Sequence, residues 1–358
     1  MNPPVKRERL PEISLLNVFF CLLVVFIHAS SETLGALDRT RWPYTAVMLP
    51  WRFASIAVQG FFMLGGLRLC LREERPDWGR YYLSRLKRVY LPYLAWVGIY
   101  YLYFWTRHYY AFSLRELVRY AAVGDLVAHL YYVVTAMQFY LLAPLWRALV
   151  RRVHPLLGIG AALLISQLLG QYLPSLLALA DVEFLYNDRI FTTYLVWWII
   201  GCYAGRYYDA FRAMLRENRL FLTAAFVVCA LGEGVLSWLQ FTGRRSIGYL
   251  EPFHFAYVLS AVLFCAMLAF ALTEGRALPG WLQWADRCTY GVYLCHCLPI
   301  FAVNALLPSG ALAEPVRYAL RLAAAYGVSF GLMGFWRLLC RLARRVFKGG
   351  RSAVQNGQ

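Results

Sequence analysis

The sequence predicts an all-α protein, a polytopic transmembrane helical bundle of about ten spans, and three observations carry that expectation. Of its 358 residues 61% are hydrophobic and only 15% charged, whereas roughly a quarter of a soluble domain is charged. The mean hydropathy of +0.50 is concentrated in blocks of about 20 residues, the length a helix needs to cross the hydrocarbon core. With the N-terminus assigned to the cytoplasm, 25 of the 36 Lys and Arg residues fall in the N-terminal arm, the inside loops with their adjoining span ends, or the C-terminal end. Basic residues are retained on the cytoplasmic side of membrane proteins, so the alternation supports the spans independently of their hydropathy.

Taken in order, the expected spans are 12–31, 46–67, 89–106, 129–149, 156–178, 190–208, 220–241, 253–273, 289–307 and 317–340. The first follows the basic VKRER and reads NVFFCLLVVFIH. A basic start, an apolar run and HASS also resemble a signal peptide. Cleavage would leave nine spans and spoil the charge alternation, so the segment is read as a span. The second carries Arg52 and Gln59, and the third follows the basic RYYLSRLKRVY. The fourth carries Gln138, and the fifth is interrupted by Gln and Pro. The seventh holds Glu233 between Gly232 and Gly234, and the ninth contains TYGVYLCHC. The tenth completes an even number, which puts both ends in the cytoplasm. Residues 1–345 thus form one membrane domain, and 346–358 (ending GGRSAVQNGQ) form an unstructured cytoplasmic tail with little apolar content to bury.

The net charge of +17 is explained by topology and by attraction to anionic membrane lipids; no nucleic-acid-binding signature accompanies it. Nine cysteines, an odd number without a loop framework, argue against structural disulfides. Cys295-His296-Cys297 resembles a metal clip. Residues two apart on a helix point about 200° away from each other, so the two thiolates do not grip one ion readily, and no metal is expected.

Ionisable residues at membrane depth are functional candidates because burying them costs several kcal/mol. His28, Glu233 and His296 stand out, with Arg52 near the outer end of the second span. Gln59 and Gln138 read as interhelical glue. Asn17 lies eleven residues before His28, about three turns plus 20°, so both share one helix face about 16 Å apart along the axis. That polar stripe runs from the cytoplasmic surface into the membrane and suggests a lined tunnel. At its mouth, Arg85 and Arg88 are three apart and project together on a helix, with Arg80 and Lys87 nearby. Such a cluster suits phosphate binding and equally serves to enforce topology.

Together these segments resemble the acyltransferase 3 family of bacterial integral membrane O-acyltransferases, over nearly the whole chain. NVFFCLLVVFIH keeps that family's spacing to His28, with Asn17 where Arg is usual. VQGFFMLGGLRL is similar to its second-span pattern, with Gly65 in place of Ser, and SRLKRVYLPY to its basic stretch before the third span. HLYYVVTAMQFYLLAPL resembles the fourth-span pattern, with Tyr131 at the usual Trp and Tyr132 beside it as support. TYGVYLCH resembles the penultimate-span pattern, giving Tyr290, Gly291, Tyr293 and His296.

The resemblance implies transfer of an acyl group, most simply acetyl, from cytoplasmic acyl-CoA (acetyl-CoA) to a hydroxyl of a cell-surface glycan or glycolipid, in the bacterial plasma (inner) membrane. Asn17, Arg85, Lys87 and Arg88 would then hold the donor, and a tunnel of about 16 Å suits an extended pantetheine arm. His28 would be the general base, its imidazole having an unperturbed pKa of about 6.5 close to the working pH. His296, Tyr293 and Arg52 are the candidates for stabilising the oxyanion, and Glu233 and Tyr132 for substrate or supporting contacts. Two rivals remain open on the residues alone: a transporter or flippase using the same polar stripe, and a non-catalytic scaffold. The topology makes a prediction of its own. Cysteine-accessibility labelling at Ser352 and at Ser113 should report opposite sides of the membrane; labelling from one side at both would contradict the orientation.

Overall fold

The computed structural model describes residues 10–71, 77–181, 185–308 and 310–355, with side chains as far as residue 343. Among the described residues the chain is helical and contains no strand. Its helices are α1 (Pro11–Ala36), α2 (Trp42–Ala54), α3 (Ile56–Cys70), α4 (Trp78–Arg85), α5 (Leu91–Thr106), α6 (Leu114–Val123), α7 (Tyr131–Leu141), α8 (Ala143–Arg152), α9 (Pro155–Ala178), α10 (Leu195–Arg206), α11 (Tyr208–Glu217), α12 (Arg219–Phe241), α13 (Leu250–Thr273), α14 (Gly280–Cys295), α15 (Cys297–Leu306) and α16 (Glu314–Gln355). The backbone of α16 runs into the segment expected as a tail; residues 356–358 of that segment lie outside the described residues.

Among the described residues six stretches are long and apolar enough to cross a membrane, or up to eight if each of two bent helix pairs is one span. The expected ten is not reached by length. The segment expected at 89–106 is α5, of 16 residues, and that at 190–208 is centred on α10, of 12 residues. At 1.5 Å per residue they extend about 24 and 18 Å, short of a 30 Å hydrocarbon core. Hydropathy marked both segments as apolar helices but could not show where the α winding changes, to a π turn before Leu91 and to a 3-10 turn before Leu195.

Local signals set the ends. Pro11 opens α1, where its missing N–H is not needed. Ser113 caps α6 by accepting from the Glu116 N–H at 3.3 Å, and α6 ends at Gly124, whose φ of 74° is the left-handed conformation glycine adopts freely. Pro50 lies inside α2 and removes one helical hydrogen bond; the span turns at Ser55 and continues as α3.

The inside of the bundle is built on α1, which packs against α2, α3, α13, α14, α15 and α16. The most apolar window of α1 is 56% buried and that of Trp42–Cys70 is 61%, but only 17% for α9 and for α12. Helices this apolar that expose Leu164, Leu168, Val228 and Leu231 have lipid as their solvent. The closest packing is between α3 and α10. A Cβ at Gly201 would collide with the Met63 carbonyl, one at Gly205 with the Leu67 carbonyl, and one at Gly66 with the Trp198 carbonyl. Small residues four apart on α10 let two backbones touch, which is how helices associate where lipid offers no hydrophobic drive.

Candidate functional site

Within the ninth expected span the helix breaks, and α14 and α15 meet at 51°. Pro299, in CLPIF, has no N–H to donate to the Cys295 carbonyl, and the chain bends at this turn. Side chains add hydrogen bonds to the neighbouring carbonyls, which lie at membrane depth. Tyr100 donates its hydroxyl to the Leu294 carbonyl at 2.9 Å, and His129 Nε2 lies 3.3 Å from the same oxygen. His296 Nδ1 lies 2.8 Å from the Tyr293 carbonyl and 3.2 Å from that of Val292. The Tyr293 hydroxyl in turn donates to the His129 carbonyl.

The break therefore draws three imidazoles together. The ring centroid of His28, from α1, is 5.7 Å from that of His129 and 5.2 Å from that of His296, and the latter two are 4.6 Å apart. His129 is 2% and His296 0% exposed, whereas His28 keeps partial exposure. Cys297 completes the group, its Sγ lying 3.3 Å from His129 Nδ1 and 3.5 Å from His296 Nε2.

Because carbonyls only accept, His296 carries its proton on Nδ1 and His129 on Nε2. Each then points a bare lone pair at Cys297, and one thiol proton cannot satisfy both. His28 forms no hydrogen bond among the described residues. The centre thus holds more acceptors than protons, which is an arrangement suited to taking a proton. The ligand atoms of His28, His296 and Cys297 also lie within 4.8 Å of one another, close enough to hold a borderline-soft cation. Cys295 stands apart from this grouping, its thiol turned to the Val292 carbonyl at 3.7 Å.

The expected stripe is the seam between parallel α1 and α14. Asn17 donates through Nδ2 to Asp286 Oδ1 and to Thr289 Oγ1, both at 2.8 Å, and Ser14 donates to Asp286 Oδ2 at 3.1 Å. The Asn17 amide therefore has its N–H groups engaged on α14, and the Asn17 end of the stripe is a closed seam. Aromatic rings lead instead from the basic mouth to the histidines. Tyr290 and Tyr293 stack 6.5 Å apart, Tyr132 lies 5.5 Å from Tyr293, and Tyr293 lies 5.3 Å from His129.

At that mouth the two arginines do not project together. Residues Leu86–Tyr90 form a π-helical turn, whose wider winding changes the angle between positions three apart. Arg85 turns inward, its guanidinium 4.9 Å from the Tyr81 ring and 4.8 Å from that of Tyr140. Lys87 and Arg88 are exposed. Gln138 works as glue, donating to the Arg189 carbonyl at 2.8 Å and accepting from the Phe191 N–H at 3.0 Å.

Arg52 and Glu233 meet in a second polar centre. Arg52 Nε is 2.6 Å from Glu233 Oε1, and its Nη2 is 3.0 Å from Glu251 Oε1. The glycines beside Glu233 make room for neighbours: a Cβ at Gly232 would collide with the Phe253 ring, and one at Gly234 would lie 3.3 Å from Phe53. His129, Asp286 and His254 were not singled out from the sequence, and Cys297 was weighed only as part of a metal clip with Cys295 and set aside. His129 opens a motif that was quoted for its resemblance, and its position at a span end hid it.

No curated protein and no solved structure matches the chain. A family model described as an acyltransferase domain matches residues 10–334, which is nearly all of it. With a lipid-facing helical bundle around an intramembrane histidine centre, the chain belongs to the acyltransferase 3 family and is a membrane acyltransferase.

Proposed function

We propose that the protein transfers an acyl group, most simply acetyl, from cytoplasmic acyl-CoA to a hydroxyl of a cell-surface glycan or lipid-linked saccharide, in the bacterial inner membrane with both termini cytoplasmic. His28 acts as general base and takes the proton of the acceptor hydroxyl as its oxygen attacks the acyl carbonyl. The observation that carries this reading is the proton-poor cluster of three imidazoles in which only His28 is partly exposed. His129 and His296 have one nitrogen each committed to a backbone carbonyl, which leaves His28 free to exchange a proton. Exposed Lys87 and Arg88 at the cytoplasmic mouth suit the nucleotide phosphates, and the tyrosine column suits an extended thioester arm.

His28→Gln keeps size and a hydrogen-bonding end but cannot accept a proton at neutral pH. Loss of general-base catalysis typically lowers a rate by 10²–10⁴-fold. An interhelical hydrogen bond is worth only about 0.6 kcal/mol, so a packing role would change turnover less than about tenfold. Purified variant and wild-type protein, matched for thermal stability and donor binding, should differ by the larger factor, with and without a chelator present. Retention of more than about a tenth of the activity would remove His28 from catalysis, and a chelator that abolished wild-type activity would replace the base by a metal centre.

The donor mouth has its own test. Lys87→Gln with Arg88→Gln should weaken acetyl-CoA binding by about tenfold or more, since charge-assisted hydrogen bonds contribute about 1.5–3 kcal/mol each. Arg85→Gln, which loses its stacking between tyrosines, should instead lower thermal stability. Normal donor affinity in the double variant would place the phosphates elsewhere.

A further inference from the structure

The second polar centre contains a hydroxyl, an imidazole and a carboxylate in line. Ser55 Oγ is 3.1 Å from His254 Nε2, and His254 Nδ1 is 2.8 Å from Glu233 Oε1. Glu233 is 0% and His254 9% exposed. These are the contacts of a nucleophile, a base and the carboxylate that orients the base, an arrangement recognised by geometry and not by fold. Arg52 makes it workable in a membrane. Its guanidinium pairs with Glu233, and His254 Nδ1 faces the same carboxylate while Nε2 faces Ser55. The Ser55 proton rests on the Arg52 carbonyl, 2.6 Å from Oγ, and reaches His254 by rotation about one bond.

Two further features suggest that this centre receives ligands. Three donors, Arg52 Nε, His254 Nδ1 and Ser237 Oγ, converge on Glu233 Oε1, and Glu233 Oε2 is buried without a partner among the described residues. A purely structural ion pair would use both oxygens. A groove between α2 and α12, lined by Arg41, Trp42, Pro50, Phe53, Trp238 and Arg244, also borders the segment that carries Arg52 and Ser55. Tryptophan faces beside cations and hydroxyls are the chemistry that holds a saccharide.

Ser55 is also level with His28. Trp51 Nε1 donates to Ser31 Oγ at 3.2 Å, which sets the register of the antiparallel pair α1 and α2. Four residues onward from Trp51 and four back from Ser31 are each about 6 Å along the axis, which brings Ser55 opposite Ile27 and His28.

We propose that the acyl group rests on Ser55 as an ester before it passes to a saccharide hydroxyl arriving through that groove; this builds on the transferase reading above. In the first step the Ser55 Oγ–H proton moves to His254 Nε2 as Oγ bonds the thioester carbonyl carbon. The carbon–sulfur bond breaks and coenzyme A leaves as thiolate. In the second step the acceptor oxygen bonds the same carbon and gives its proton to His28. The bond to Ser55 breaks, Oγ regains its proton from His254, and His28 returns its proton to the thiolate or to water. Glu233 and Arg52 are positioning residues.

The test is to incubate the purified protein with acetyl-CoA and no acceptor, quench in acid, and locate acetyl groups by peptide mass spectrometry while measuring released coenzyme A. Wild type should carry one acetyl group on the peptide containing Ser55, and Ser55→Ala none, with acetyl transfer lowered at least 10²-fold. Ser55→Cys, of similar size, should trap an acetyl group that neutral hydroxylamine removes, which separates lost chemistry from lost folding. Glu233→Gln should slow acetylation of Ser55 and change its pH dependence while donor binding stays normal. If wild type and Ser55→Ala cleave donor equally and no acetyl group is found on Ser55, the serine relay is overturned and the transferase reading stands. If neither cleaves donor without acceptor, the relay is overturned, and the transferase reading falls with it only if no acetyl group is transferred once a saccharide acceptor is added.

Discussion

A helix in hydrocarbon cannot leave its carbonyls unpaired, and the site depends on that constraint at one place. Pro299 leaves the Cys295 carbonyl without its helical donor where α14 bends into α15, and Tyr100, His129 and the ring of His296 itself bond the neighbouring carbonyls of that turn. Meeting those carbonyls fixes which nitrogen of each imidazole carries hydrogen. It also turns the remaining lone pairs towards one another and towards Cys297. A structural obligation of the backbone thereby produces a centre short of protons, and His28 is placed at its partly open edge by α1.

The central position of α1 explains how that edge is held. Its N-terminal half is sewn to α14 through Ser14, Asn17, Asp286 and Thr289, and its C-terminal half to α16 through Ser30 and Tyr318 at 3.0 Å and through Thr33 and Arg321 at 2.7 Å. Between these anchors His28 has ring neighbours and no hydrogen bond among the described residues. Such a residue can change its protonation without breaking a contact that the fold needs. The inward turn of Arg85 has a similar logic: stacked between two tyrosines, it shapes the mouth, and the exposed Lys87 and Arg88 face whatever arrives there.

Much of this was legible in the sequence. Apolar blocks and alternating cations marked the helices, and the cost of burying charge singled out His28, His296, Glu233 and Arg52, each of which meets another polar group inside the bundle. Periodicity also placed Asn17 and His28 on one face correctly, but it could not say what that face meets, and the face meets α14. Pairings between distant segments were invisible for the same reason: Ser55 and His254 are 199 residues apart, and no local pattern links them. Arg85 and Arg88 show the limit of an assumed winding, because one π turn separates what ideal α geometry would align. His129 escaped because it is ordinary alone and acquires meaning only at the break, and Cys297 was set aside because it was judged as a partner of Cys295 and not of His129.

The most direct test of the account is a structure of the protein bound to a thioether analogue of acetyl-CoA that cannot transfer its acetyl group. The account predicts the nucleotide against Lys87 and Arg88, the pantetheine along Tyr290 and Tyr132, and the acetyl carbonyl within about 4 Å of the His28 ring, close enough for proton transfer through the attacking hydroxyl. An acetyl end lodged away from all three histidines, or a nucleotide bound on the opposite face of the membrane, would contradict it.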